Sequence, residues 1–386
     1  MSVFAQNLPF MRRHARRMPA RALAMSGDGP SPWGGPEQPV PDNGSGGGGG
    51  GQGGDGGSRG GAPGQGGLPW LVIAISAGAL SAIFMAGLGT PSIFSLIMFL
   101  FMPAPLFMAG LSFGWLAAGI GALTALALLA GMLGMKAALM HLVMVGLPVV
   151  WLARLAWQRR PAAGAAEGEP ADAAGYEWYP EGRLLLWMAG LAGVGVTLLL
   201  LSLGTTLAEV QGALRGLAEE VMRATGIGSE ATAEQKRQFL DIFVAIAPLS
   251  VVVMWELSLY LSFRVADWAT RKMGLNARPA ADFTRLTFPQ KALLGLAGLS
   301  LAALAPDIFG LVGEVLAVAF MAAFAILGLS VIHAWVKDKP WQPLALGALY
   351  AALLMLTGLV APALLLLGLA ETGFGVRRMM LEGGGR

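Results

Sequence analysis

The chain has no cysteine, so disulfide staples, thiolate nucleophiles and cysteine-held zinc or iron–sulfur clusters are all excluded. Charge is scarce too. Asp, Glu, Lys and Arg make up 13% of the 386 residues, against about 25% in an ordinary soluble domain. With 55% hydrophobic residues and a mean hydropathy of +0.63, a soluble fold is excluded. Histidine is rarer still, limited to His14, His141 and His333. Three histidines so far apart nominate no metal site, and neither a metal nor a cofactor is expected. The phosphate-binding G-x-x-x-x-G-K-[ST] and the zinc-binding H-E-x-x-H are both missing. G-x-G-x-x-G occurs inside a glycine run with no strand before it and no helix after it, so it carries no dinucleotide signal. No nucleophile and base can be paired, and the expectation is a protein that is not an enzyme.

What the sequence does have is apolar runs. They cover 70–88, 92–111, 113–133, 137–157, 184–205, 239–263, 290–305, 308–335 and 343–370, and about 20 apolar residues match the roughly 30 Å hydrocarbon core of a bilayer. The predicted fold is all-α, a polytopic transmembrane bundle of nine apolar segments and eight to ten spans. Pro103 and Pro105 remove backbone donors from the second segment and predict a break there, tolerated where neighbouring helices or water satisfy the freed carbonyls. The last segment holds Gly358 and Pro362 and is too long for one untilted span, so it reads as a helix plus a half-helix.

Residues 1–69 are of another kind. Arg12, Arg13, Arg16, Arg17 and Arg21 precede a proline-rich patch, and 16 of the 24 residues from Gly44 to Gly67 are glycine. Such a segment buries too little apolar surface to offset its ordering entropy and is expected to be a disordered cytoplasmic tail. A first helix group at 70–158, a linker at 159–183 and a second group at 184–380 follow. The loop from 264 to 291 sets Arg264, Arg271, Lys272, Arg278, Arg285 and Lys291 against Asp267 and Asp282. That excess puts it on the cytoplasmic side, together with the linker and the amino terminus. Nine spans would leave Arg377 and Arg378 outside, so a broken last segment returning the C-terminus inside is favoured. Partners are therefore the lipid bilayer first, with a small-molecule solute and other membrane proteins as further possibilities, and no nucleic acid.

On the outer side, Leu207, Val210, Leu214, Leu217 and Val221 recur at helical spacing, marking an amphipathic helix at about 206–225. Gly226 and Gly228 stop it, and Thr232 followed by Gln235 predicts a capping box opening the next span.

Ionisable groups at membrane depth are the candidate site residues, because a charge there costs at least about 2.5 kcal/mol and is kept facing protein or water. Glu256 lies well inside the sixth segment, Tyr260 falls on the same face, Arg264 follows one turn later, and Ser258 and Ser262 share a neighbouring face. One reading is a solute or proton site lined by Glu256 and Tyr260. The other is a structural hydrogen bond or a Glu256–Arg264 pair. Glu314 and His141 join the same candidate solute site or else snorkel towards an interface.

Several stretches resemble the YybS-like family of uncharacterised bacterial multi-pass membrane proteins: PAPLFMAGLSFG at 103–114, GLPVVWLAR at 146–154, YLSFRVADW at 260–268, ILGLSVIHAW at 326–335 and LGLAETGFGVRR at 367–378. That resemblance extends distantly to the substrate-binding components of energy-coupling-factor transporters. It implies a bacterial inner-membrane protein whose molecular role is not established, with small-solute uptake suggested by the distant kinship alone, and it transfers no functional residue. Two functions stay open: a transporter-like or substrate-binding membrane component, and a non-catalytic scaffold of the cell envelope.

Overall fold

A computed structural model describes residues 68–89, 92–161, 176–226 and 231–383. The arginine-rich and glycine-rich tail expected from the sequence lies outside them. Among the described residues the protein is all-α, apart from one short ribbon. In chain order the elements are α1 (Leu68–Ala86), α2 (Ile93–Phe101), α3 (Ala104–Phe113), α4 (Trp115–Met132), α5 (Met135–His141), a π-helical turn (Leu142–Gly146) and α6 (Leu147–Ala156). Strands β1 (Arg159–Pro161) and β2 (Tyr176–Trp178) pair antiparallel. Then come α7 (Glu181–Leu201), α8 (Leu207–Thr225), α9 (Ala233–Lys272), α10 (Lys291–Ala302), α11 (Asp307–Val336), α12 (Gln342–Met355), α13 (Thr357–Phe374) and α14 (Val376–Gly383).

Among the described residues, eight stretches are long and apolar enough to cross a bilayer: Pro69–Ala86, Ile93–Phe113, Trp115–Met132, Met135–Ala156, Glu181–Leu201, Ala233–Lys272, Asp307–Val336 and Thr357–Phe374. The segment expected at 290–305 contracts to the 12 residues of α10, about 18 Å of helix and too short to span. The segment expected at 343–370 does break, at Leu356, between α12 and α13. Pro362 sits inside α13, where its missing donor concerns the Gly358 carbonyl, in the first turn of that helix. Large apolar side chains face outward, among them Leu294 at 75% and Leu344 at 78% exposure. In water that surface would aggregate, whereas lipid tails cover it without cost.

Because lipid is as apolar as leucine, the helices gain cohesion from close approach rather than from water exclusion. Gly328 on α11 faces Gly368 on α13, and a Cβ at either position would lie 1.9 Å from a backbone oxygen of the other helix. Gly78 on α1 meets Gly121 on α4 in the same way, with 2.1 Å to the Gly121 oxygen. Gly110 and Gly193 also face neighbours closely, while Gly295 and Gly298 face open space.

At 40 residues, α9 is about 60 Å long, twice the hydrocarbon thickness. Its excess carries α8, held by an Arg215–Asp241 ion pair at 2.5 Å. The predicted box at its start is present: Thr232 N–H donates to Gln235 Oε1 at 2.8 Å, and Gln235 N–H to Thr232 Oγ1 at 3.3 Å. The amphipathic helix forms as α8, but its buried stripe is Val210, Leu214 and Ala218, while Leu217 and Val221 stay exposed. A second capping box, Thr206 with Glu209, opens α8. The Thr205 and Thr206 backbone N–H groups hold the Glu209 carboxyl below the usual carboxylate range.

Gly328→Leu should cost at least the roughly 1–3 kcal/mol typical of overpacking; thermal unfolding in detergent checks it, and Gly295→Ala should melt like wild type. A carboxyl with a depressed folded-state value contributes stability above its unfolded value and loses it as pH falls through the folded one. Amide exchange in the first turn of α8 is therefore expected to accelerate below about pH 4.3, relative to a Glu209→Gln variant measured at the same pH.

Candidate functional site

Pro103 and Pro105 end α2 after Phe101 and start α3 at Ala104, leaving carbonyls at membrane depth without their helical donors. Serine hydroxyls replace those donors. Ser258 Oγ on α9 lies 3.0 Å from both the Phe99 and Leu100 oxygens, Ser262 Oγ donates to Leu100 O at 3.0 Å, and Ser81 Oγ on α1 donates to Met102 O at 2.9 Å. The spacing of four residues between Ser258 and Ser262 places both on one face of α9, and that face docks on the broken helix.

His141, fully buried at the end of α5, has Nε2 2.9 Å from the same Ser81 Oγ. Ser81 has one proton and gives it to Met102 O, so Nε2 donates and Nδ1 keeps a lone pair. That Nδ1 has no partner among the described residues. The π-helical turn follows directly at 142–146, and such insertions often mark functional positions in helices. An apolar cavity of about 170 Å³ lies here, lined among others by Met85, Met102, Met140, His141, Met144 and Trp255. The interfacial placement considered for His141 is therefore replaced by a buried one.

Glu256, next to Trp255 on α9, has no exposed surface, and neither carboxyl oxygen has a hydrogen-bond partner among the described residues. Its pairing with Arg264, considered from sequence, does not form. Arg264 donates instead to Glu181 Oε1 at 2.6 Å, and the Tyr260 hydroxyl reaches the same oxygen at 3.4 Å. Tyr260 thus belongs to an ion-pair cluster at the foot of α7 rather than to a pair with Glu256. Glu314 is exposed on α11 and does not line the cavity beside His141.

Below the Glu181 cluster, Asp267 pairs with Arg271 and accepts from Asn276 Nδ2 at 3.1 Å. Arg278 is buried, with Nη2 donating to Tyr179 O at 2.9 Å. Burial lowers its guanidinium from the usual arginine range, and the Glu181 charge opposes that shift. Arg377 donates to Thr284 O and Leu286 O, so the C-terminal arginine folds onto the basic loop, as a broken last segment would allow. Sequence reasoning missed Glu181 and Ser81. Their partners lie 83 and 60 residues away, and no local spacing signals such pairs.

Residues 79–372 match the family described as "Predicted membrane protein (DUF2232)", and the chain belongs to that family. It is an integral, multi-pass membrane protein of a family without an assigned function. No curated protein matches it, and no solved structure does.

Replacing Ser258 and Ser262 together by alanine strips the hydroxyl donors from the Phe99 and Leu100 carbonyls. A loss of about 1–2 kcal/mol is expected, since interhelical hydrogen bonds in membranes average roughly 0.6 kcal/mol each and an orphaned buried acceptor costs more. Chemical denaturation in mixed micelles reads it out, with Ser202→Ala, at an exposed serine, as the neutral reference.

Proposed function

We propose that this member of the DUF2232 family is a non-enzymatic, transporter-like solute-binding component of a bacterial inner membrane. Its site lies where the α2–α3 break meets α9. One observation carries the reading: Glu256 is fully buried with both carboxyl oxygens unpartnered. Ionisable groups at membrane depth are expensive and ordinarily face a partner, a pathway or a ligand, and Glu256 has no protein partner among the described residues. Broken helices are where membrane transporters expose backbone at mid-depth for a solute or ion, and this break lies against the helix that carries Glu256. The distant likeness to substrate-binding components of energy-coupling-factor transporters points the same way. Orientation belongs to the same proposal: the arginine-rich loops at 158–183 and 264–291 face the cytoplasm, as the bias of Lys and Arg in short loops requires.

A scaffold role is the second reading. It is favoured by the outer pair of α8 and the start of α9, where Leu217, Val221, Phe239, Ile242 and Ile246 are exposed and would seat another envelope protein.

Glu256→Leu separates the two. An unpartnered buried carboxyl contributes nothing to packing, and apolar replacement of buried ionic groups is often neutral or stabilising. On the solute-site reading the variant melts at or above the wild-type temperature. It also loses the thermal shift that wild type shows with one member of a panel of alkali cations, amino acids and water-soluble vitamins. A ligand at 100 times its Kd adds about 2.7 kcal/mol, well within detection. A destabilised variant, with no panel member shifting wild type, transfers the case to the scaffold.

A further inference from the structure

Where α6 and α7 leave the hydrocarbon, the two-stranded ribbon closes over a cavity of about 540 Å³. Its wall includes Trp157, Arg159, Arg160, Trp178, Tyr179 and Arg183. The spans Met135–Ala156 and Glu181–Leu201 end beside it, which sets its wall at the depth of lipid head groups. Three arginines and one carboxylate, Glu177, line the cavity, and that carboxylate is engaged by Arg160 at 2.6 Å. Arg159 lies over the rings of Tyr176 and Trp178, 4.4 and 5.5 Å from their centroids. This stacking holds the guanidinium plane in place while its N–H groups stay free to bind. Arg183 is exposed on the first turn of α7 and has no ion-pair partner among the described residues. The Trp178 indole N–H is buried without an acceptor among the described residues. Arg278, donating to Tyr179 O, ties this wall to the basic loop and so puts the cavity on the arginine-rich face of the protein.

We infer that this cavity binds the phosphate of an anionic phospholipid head group, with Arg159 and Arg183 as the phosphate-contacting residues. Guanidinium forks match phosphate oxygens two at a time. The aromatic walls suit the glycerol and upper acyl region, where tryptophan and tyrosine concentrate in membranes. Basic pockets between spans on the cytoplasmic side recognise acidic head groups. Glu256 plays no part in this site, so the inference stands apart from the solute-binding proposal.

Native mass spectrometry of the full chain, titrated with phosphatidylglycerol or phosphatidylcholine, tests it. Wild type should prefer phosphatidylglycerol. Arg183→Gln should weaken that binding about fivefold, and Arg159→Gln with Arg183→Gln roughly thirtyfold, at about one surface arginine's worth of attraction each. Arg223→Gln with Lys236→Gln makes the same charge change at the α8 end and the start of α9, roughly 40 Å along α9 from Arg264, and should leave the affinity within about twofold, since charges beyond a Debye length are screened. Matching melting temperatures in phosphatidylcholine establish that each variant is folded, and Arg183→Gln alone serves if the double variant is not. Equal binding of the two lipids, or equal losses in the two double variants, overturns the site. Displacement of phosphatidylglycerol by glycerol 3-phosphate overturns the lipid as occupant in favour of a soluble phosphoester. Glu256→Gln is expected to leave lipid binding unchanged, so failure here and failure of the solute site are read separately.

Discussion

A helix that stops inside hydrocarbon leaves carbonyls that no water can reach, and each such group costs several kcal/mol unless protein supplies a donor. The break between α2 and α3 imposes that constraint, and much of the bundle's interior is arranged to meet it. Ser81 brings α1 to the Met102 carbonyl, while Ser258 and Ser262 bring α9 to those of Phe99 and Leu100. Because Ser81 gives its proton to a carbonyl, the tautomer of His141 follows, and with it the unpartnered Nδ1 beside the methionine-lined cavity. Two prolines thus fix the register of α1 and α9 and the hydrogen-bonding state of a histidine about 40 residues away in sequence.

Close helix approach is the second constraint, and it acts elsewhere in the molecule. α11 and α13 meet at Gly328 and Gly368 with backbone against side-chain-free backbone, which gains dispersion contacts that lipid would otherwise supply less densely. The same logic seats α10 on α11, since a Cβ at Gly313 would lie 2.4 Å from the Ala302 carbonyl carbon. α10 needs no full span of its own: its 12 residues stop at the turn before Pro306, and α11 returns beside it.

Much of this was legible in the chain, for identifiable reasons. Apolar run length reports span position directly, because bilayer thickness is fixed. A capping box such as Thr232 with Gln235 is a local pattern with a local cause. Pro103 and Pro105 predicted a break because a missing N–H acts on its own helix. The excess length of the last segment predicted a break there too, but nothing local singles out Leu356, where it falls, and Pro362 near the start of α13 leaves that helix intact. The ribbon of β1 and β2 was missed because three-residue strands carry no periodicity. Of the four candidate site residues, Glu256 and His141 proved fully buried, Tyr260 joined Glu181, and Glu314 faced outward. Helical spacing tells which residues share a face, but not which helix that face meets.

The two buried glutamates make the functional contrast sharpest. Glu181, at the end of its span, is engaged by Arg264 and Tyr260, an arrangement that fixes helix ends and needs no further ligand. Glu256 lies two turns deeper on α9 than Arg264 and has no partner at either oxygen. Selection for stability alone would favour an apolar residue there, since a half-satisfied polar group is worse than none. The fold could supply a donor at little cost, as the serines two and six residues further along the same helix show. Those hydroxyls are spent on backbone carbonyls while the costlier carboxyl is left without one. On the proposed solute-site reading, a group kept at an energetic disadvantage amid available donors is accounted for by a ligand that is not itself part of the chain.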